Sequence, residues 1–201
     1  MQNEIKNAFR AVALFTVLFG IIYPIFILAL GQVVFPVQSN GSIVEIDGRK
    51  VGARPIGQEF TRPEYFHPRP SRAGDEGYDA LSSSASNLGP TNRKLLEAVN
   101  SNAERILEEN PGLDISGVPV DAVTSSASGL DPHISPENAE MQAHRVAKAR
   151  GISMDAVRSL IGKHTERPPG VIPGDPAVNV LLLNMDLDRY QNGGRHDEPE
   201  R

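Results

Sequence analysis

From Ala11 to Leu30 the chain runs for twenty residues without a charge, interrupted only by Thr16, Gly20 and Pro24 among large apolar side chains. As a helix rising about 1.5 Å per residue this run is about 30 Å long, which is the hydrocarbon thickness of a bilayer. A soluble-protein helix of that length would present a polar face, and this one has none. A cleavable signal would carry a shorter apolar run of about 7–15 residues before a small-x-small site. Ala29-Leu30-Gly31 offers such a site, but Val33, Val34 and Phe35 continue the apolar run beyond it, so an uncleaved anchor is expected. Pro24 is tolerated in a membrane helix and marks a bend or a packing position.

Lys6 and Arg10 precede the span and no basic residue follows it until Arg49. The positive-inside rule therefore places the N-terminus in the cytoplasm and nearly all of the chain outside. The expected divisions are a cytoplasmic N-terminus at 1–10, a transmembrane helix at 11–31, a connector at 32–40, an extracytoplasmic domain at 41–190 and a flexible tail at 191–201. The first 31 residues hold Lys6, Arg10 and Glu4, which leaves 18 basic and 24 acidic side chains beyond them, a net charge of −6. Nucleic-acid binding needs clustered Lys and Arg, and the densest set, Arg62, Arg69 and Arg72, is too small for it. The chain has no Cys, which excludes disulfides, thiolate nucleophiles and Cys-based metal sites.

The outer region reads as α+β. Asp47-Gly48 between two short β-favouring runs predicts a hairpin. From Arg54 to Pro90 periodicity disappears among Pro, Gly and Ser, yet Phe60, Tyr65, Phe66 and Tyr78 argue that part of this long loop is packed. Leu95, Leu96, Val99, Ala103, Ile106 and Leu107 predict an amphipathic helix over 92–109, ended by Asn110-Pro111-Gly112. Val118–Thr124 reads as a strand whose Pro119 confines it to an edge or a strand start. Ser135-Pro136-Glu137 is a cap, a first-turn Pro and a first-turn acid for a helix that Gly151 stops. Ser153 caps another helix to about Gly162, with Val157, Leu160 and Ile161 inward, and Val178–Leu183 is the best strand candidate. The expected fold is thus one N-terminal transmembrane helix and a single extracytoplasmic domain with a small mixed sheet and about three helices.

Ser, Asp and His fall close together between Thr124 and His133, but a Ser-His-acid triad is assembled from separate parts of a fold, and Gly-x-Ser-x-Gly is absent. Small hydroxyl residues with Gly and Pro more simply form a turn leading into the Ser135 cap. Asp131 and His133 are candidate metal contacts without further ligands at helical spacing. His67 and Arg69 are a candidate anion site, although no phosphate-cradling glycine loop is present. On the helix after Ser135, Gln142, Arg145 and Lys148 share a polar face, solvated or partner-binding, while Met141, Val146 and Ala149 can pack inward.

A series of strings behind the membrane span resembles the small C subunit of the Kdp-type potassium-transporting ATPases of bacteria. These are Ile56–Phe60, Tyr65–Ser71, Ser86–Pro90, Pro119–Thr124, Ser128–Pro136, Arg145–Gly151 and Val178–Asn184. The most specific is Ser-Gly-Leu-Asp-Pro-His-Ile-Ser-Pro. Pro68, Ala85 and Ala127 stand where the family commonly has Gly, and Ala143-His144 replaces a Val-Pro pair, so local loop conformations could differ. The resemblance implies a complex of a channel-like A subunit that selects potassium, a catalytic P-type ATPase B subunit, a very small F subunit and this non-catalytic C subunit. It implies no cofactor for the C chain, and membrane lipid as its surroundings. Proposals attached to such subunits are assembly, assistance to ATP binding, for which the position of Gln142 is named, and a gating or ion-gathering cap. An outside domain cannot meet cytoplasmic ATP, which favours the cap; Gln142 reads here as a helix-face or interface residue. The rival from the residues alone is an anchored hydrolase or metal protein using His67, Asp131 and His133. His67, Arg69, Asp131, His133, Gln142 and Arg145 are the candidate interface or functional residues, with no catalytic or metal residue assigned.

Overall fold

The computed structural model describes residues 2–46, 48–168, 170, 173–191 and 193, divided into two compact units, Met1–Ala53 and Arg54–Arg201. Asp47 of the hairpin turn and, apart from Gln191 and Gly193, the tail expected to be flexible lie outside the described residues.

In the first unit, Gln2–Val34 is one helical run of 33 residues, long and apolar enough to cross a membrane. It consists of α1 (Gln2–Val17), a π-helical turn (Leu18–Ile22) and α2 (Tyr23–Val34). The π turn has a local cause. Pro24 has no N–H and its ring crowds the carbonyl four residues back, so widening the preceding turn admits the ring, and the Tyr23 N–H reaches the Leu18 carbonyl instead. The connector is more helical than expected, because Pro36 starts a single turn, α3 (Pro36–Ser39). The expected hairpin is present as β1 (Ile43–Ile46) and β2 (Arg49–Ala53), antiparallel with an irregularity between Val44 and Glu45.

The second unit is α+β. Its helices are α4 (Arg93–Glu109), a one-turn α5 (Val120–Val123), α6 (Pro136–Arg150), α7 (Met154–His164) and α8 (Val180–Gln191). Its strands are β3 (His133–Ile134), β4 (Thr165–Glu166) and β5 (Ala177–Asn179), in the order β3-β5-β4. Both pairings are antiparallel, so the sheet is not mixed. The core lies where α6, α7, α8 and β5 meet, and comprises Ala139, Ala143, Val146, Val157, Ile161, Val178, Leu183 and Leu187 with Phe66 and Ile134 from the loop and β3. Ser135 and Ser153 cap α6 and α7 by accepting from the N–H groups of Asn138 and Ala156, and Gly151 ends α6 at φ 66°.

Two expected strands are corrected. Val118–Thr124 forms no strand: a 3-10 turn (Ile115–Gly117), capped by Asp114, leads into Pro119 and the helical turn α5. Val178–Leu183 is strand only to Asn179, whose side chain accepts from the Leu182 N–H and starts α8. A short apolar run is buried equally well as a strand or as a helix, and the Asn cap decides between them here. Leu96, expected on the inward face of α4, is 54% exposed. Ala149 is also exposed, while Arg150 beside it is buried.

Candidate functional site

The long loop after Arg54 is held by polar side chains rather than by regular structure. At its centre is Phe66, fully buried. Its N–H donates to Asn184 Oδ1 (2.8 Å) and its carbonyl accepts from Asn184 Nδ2 (2.9 Å). The next residue repeats the arrangement: the His67 N–H donates to Gln142 Oε1 (2.7 Å) and its carbonyl accepts from Gln142 Nε2 (3.0 Å). Two amide side chains, one from α8 and one from α6, thus pair with consecutive loop residues as a neighbouring strand would. They satisfy backbone groups that a buried loop would otherwise leave unpaired.

Gln142 also donates to Asn138 Oδ1 (2.8 Å) and accepts from Arg145 Nη2 (2.7 Å), so both amide protons and two acceptor positions are used inside the chain. It is 4% exposed, and therefore does not share a solvated face with Lys148. Arg145 Nη1 donates to the carbonyls of Pro63 (2.7 Å) and Tyr65 (3.0 Å), and burial lowers its guanidinium from the ordinary value. One turn on, Arg150 donates from Nε to the Glu64 carbonyl and from Nη2 to Asp188, while its guanidinium stacks 4.9 Å from the Tyr65 ring centre.

His67 places Nδ1 3.2 Å from Glu109 Oε2 and Nε2 3.1 Å from the Arg62 carbonyl, tying the loop to the end of α4. Burial alone would raise the Glu109 carboxyl. The hydrogen bond and charge of His67, with Arg105, outweigh burial and bring it down to about 2.

A second group joins Arg69, Asp131 and His133. Asp131 Oδ1 accepts from the His133 N–H (3.0 Å), and Oδ2 lies 3.2 Å from Arg69 Nη1. Burial would raise this carboxyl too, but the His133 and Arg69 contacts hold it below the ordinary value. Asp121 does parallel work two residues along: Oδ2 accepts from the Ser135 N–H (2.8 Å) and from Asn138 Nδ2 (3.0 Å), and Oδ1 accepts from Ser135 Oγ (2.9 Å). On β3 the side facing β5 is paired through Ile134 and Val178. The two aspartates therefore take the N–H groups of residues 133 and 135, which closes the edge of this strand.

The groups connect through Gln142, Asn138, Asp121 and Ser135. Among the described residues no set of three or more His, Asp or Glu side chains is placed to hold a metal ion. Asn138, Asp121, Asn184 and Arg150 were not among the sequence candidates. One signal pointed to some of them: Asn138, Gln142, Val146 and Arg150 form a single row at four-residue spacing, and Val146 marks that row as inward. All four are buried. The alanines at 85 and 127 are not among the residues at positive φ, so these departures from glycine require no left-handed backbone.

A family model described as the c chain of K+-transporting ATPase matches residues 5–189. A protein of Mycobacterium bovis (strain BCG / Pasteur 1173P2) named Potassium-transporting ATPase KdpC subunit is 51% identical over 189 residues, covering 94% of this chain and 100% of the relative. Proteins of the same name from Caulobacter vibrioides (strain NA1000 / CB15N) and Koribacter versatilis (strain Ellin345) are 48% and 47% identical, over 94% and 95% of this chain and 95% and 97% of theirs. Because the match takes in nearly all of the apolar N-terminal helix and most of the α+β unit, the chain belongs to the KdpC family, the c chain of K+-transporting ATPases.

Proposed function

We propose that this chain is a non-catalytic accessory subunit of an ATP-driven potassium-uptake complex, in which it supports assembly with channel-like, catalytic and small subunits from outside the membrane. The potassium-transporting ATPase named for its relatives supports the general role. Lys6 and Arg10 on one side of the apolar helix support a cytoplasmic N-terminus and an outer Arg54–Arg201 unit. A domain placed there could also gate or gather ions at the pore entrance, where its negative charge acts within a screening length of about 8 Å.

The observation that carries the assembly reading is the use of Gln142. Every hydrogen-bonding position of its amide that the structure engages faces a group of the same chain, so a nucleotide would have to displace the contacts that hold the Phe66-His67 segment. Gln142 and Arg145 act in this reading as shape-keeping residues, and Asp131 with Arg69 and His133 does the same for β3. The test is purification of the complex carrying Gln142→Ala or Asp131→Ala. Reduced recovery of complex, with ordinary turnover and an ordinary KM for ATP in what assembles, is expected. Full recovery with a raised KM for ATP would favour the nucleotide role, and full recovery with lost potassium turnover would favour a direct part in gating. Orientation is tested separately, because a chain without native Cys accepts single labels cleanly. Ser83→Cys should react with a membrane-impermeant maleimide on intact cells and Asn3→Cys should not; the reverse pattern would place the outer unit in the cytoplasm.

A further inference from the structure

His67 holds both nitrogens of its ring against acceptors: Nδ1 lies 3.2 Å from Glu109 Oε2, and Nε2 lies 3.1 Å from the Arg62 carbonyl oxygen. A neutral imidazole has one N–H and one lone pair, so it donates to one of these partners and turns a lone pair toward the other. A backbone carbonyl has no proton to give. Glu109, brought down to about 2, is a carboxylate with none to give either. Both contacts are therefore satisfied together only by the imidazolium, with a proton on each nitrogen. The side chain is 12% exposed, which leaves little access for water to replace a lost partner.

The surrounding charges do not lock the ring in that form. Glu109 on α4 favours the second proton, while Arg105 on the same helix and Arg145 on α6, which act on the same carboxylate, oppose it. Arg62 commits its guanidinium to the Tyr65 hydroxyl and to Glu64. Glu59, Arg72 and Glu76 line the cleft that the ring shares, at exposed positions where water screens them. Tyr78, in the same cleft, is pushed up by burial and stays protonated, donating to the Arg69 carbonyl. The ring proton is thus held chiefly by its two acceptors. One residue joins the loop to two helices, through its backbone to Gln142 on α6 and through its ring to Glu109 on α4.

We infer that His67 and Glu109 form a pH-dependent latch between the long loop and the end of α4, closed while the ring carries both protons and open when one is lost. Contacts made only by the charged form of a base stabilise the closed segment at low pH, and that contribution is lost as the pH rises. The latch rests on this geometry and not on the assembly reading, since it operates within the chain alone.

The test is hydrogen exchange at the Phe66 and His67 amides, followed by NMR in the detergent-solubilised full chain at about pH 5.5 and about pH 8.5, either side of the range in which histidine changes charge. After correction for base-catalysed exchange, the open population should rise at least about tenfold at the higher pH, the loss of one hydrogen bond to a charged group. His67→Gln should remove this rise. Glu109→Gln should remove it too while keeping the segment closed, because an amide can turn its NH₂ toward the lone pair of a neutral ring. The second variant carries the test if the first does not fold. An open population that is the same at both pH values in the natural chain, or a rise that persists in either variant, would overturn the latch.

Discussion

Gly57 has no left-handed backbone to explain it, yet it stands where a side chain has no room. A Cβ there would lie 2.7 Å from the Asp131 carbonyl oxygen and 3.2 Å from the Leu130 carbonyl carbon, and the Gly57 N–H donates to the Leu130 carbonyl at 2.7 Å. These neighbours are backbone, in the segment whose next residues form β3 and the α6 cap, so they cannot rotate away. Gly57→Ala is expected to destabilise the folded chain by about 1–3 kcal/mol, the usual cost of overpacking, measured by urea unfolding of the solubilised protein. An unchanged midpoint would show that the loop can retreat without loss. Gln142 makes the complementary point at the same scale. It looks like one more polar residue on a mostly polar helix, and its role becomes visible only when the partner backbone, 75 residues away in sequence, is in place.

Among the elements, α6 has the most elaborate start. Ser135 Oγ accepts from the Asn138 N–H at 3.1 Å and donates to Asp121 Oδ1 at 2.9 Å, so one hydroxyl joins the helix cap to α5. Loss of an ordinary N-cap costs about 0.5–2 kcal/mol, and Ser135→Ala is expected near the upper end because Asp121 also loses a donor. A change under a few tenths in urea unfolding would remove Ser135 from this role. The pairing of α7 with α8 is instead electrostatic at one point: Asp186 receives Lys163 Nζ and His164 Nε2 at 2.8 Å each, with Arg189 Nη1 at 3.3 Å. Burial would raise this carboxyl, but the hydrogen bonds and charges of Lys163 and His164 leave it at about 2. A carboxyl lower in the folded than in the unfolded chain stabilises above its ordinary value of 3.8 and loses that contribution as the pH falls toward 2. The stability gap between the natural chain and Asp186→Asn, about 2 kcal/mol near neutral pH, should therefore close between pH 4 and pH 2. A gap that stays constant across that range would show that the carboxylate charge is not its source.

For the whole molecule, membrane attachment is the property most directly tied to one stretch of sequence. With α1 and α2 forming a single apolar run, the protein should stay with the membrane through a high-salt wash, since hydrophobic insertion is insensitive to screening. Its mature N-terminus should lie upstream of Gln32. Release by salt, or an N-terminus at Gln32, would replace the anchor by peripheral adhesion or by a cleaved signal.

Sequence alone settled the features whose cause is local. The apolar run from Ala11 to Leu30, the caps at Ser135 and Ser153 and the stop at Gly151 each depend on residues within a turn or two, so spacing and residue type suffice to find them. The helices around them follow for the same reason. Tertiary structure decided what depends on distant partners. Val178–Leu183 could be buried as strand or helix, and pairing of β5 with β3 and β4 limits the strand to three residues before the Asn179 cap turns the rest into α8. The candidate residues show the same division: chemistry singled out His67, Arg69, Asp131, His133, Gln142 and Arg145 by type, but not their two groupings. A polar side chain is indifferent between water and a buried partner until the fold removes the water, and it is the packing of α6 and α8 on the loop around Phe66 that removes it here.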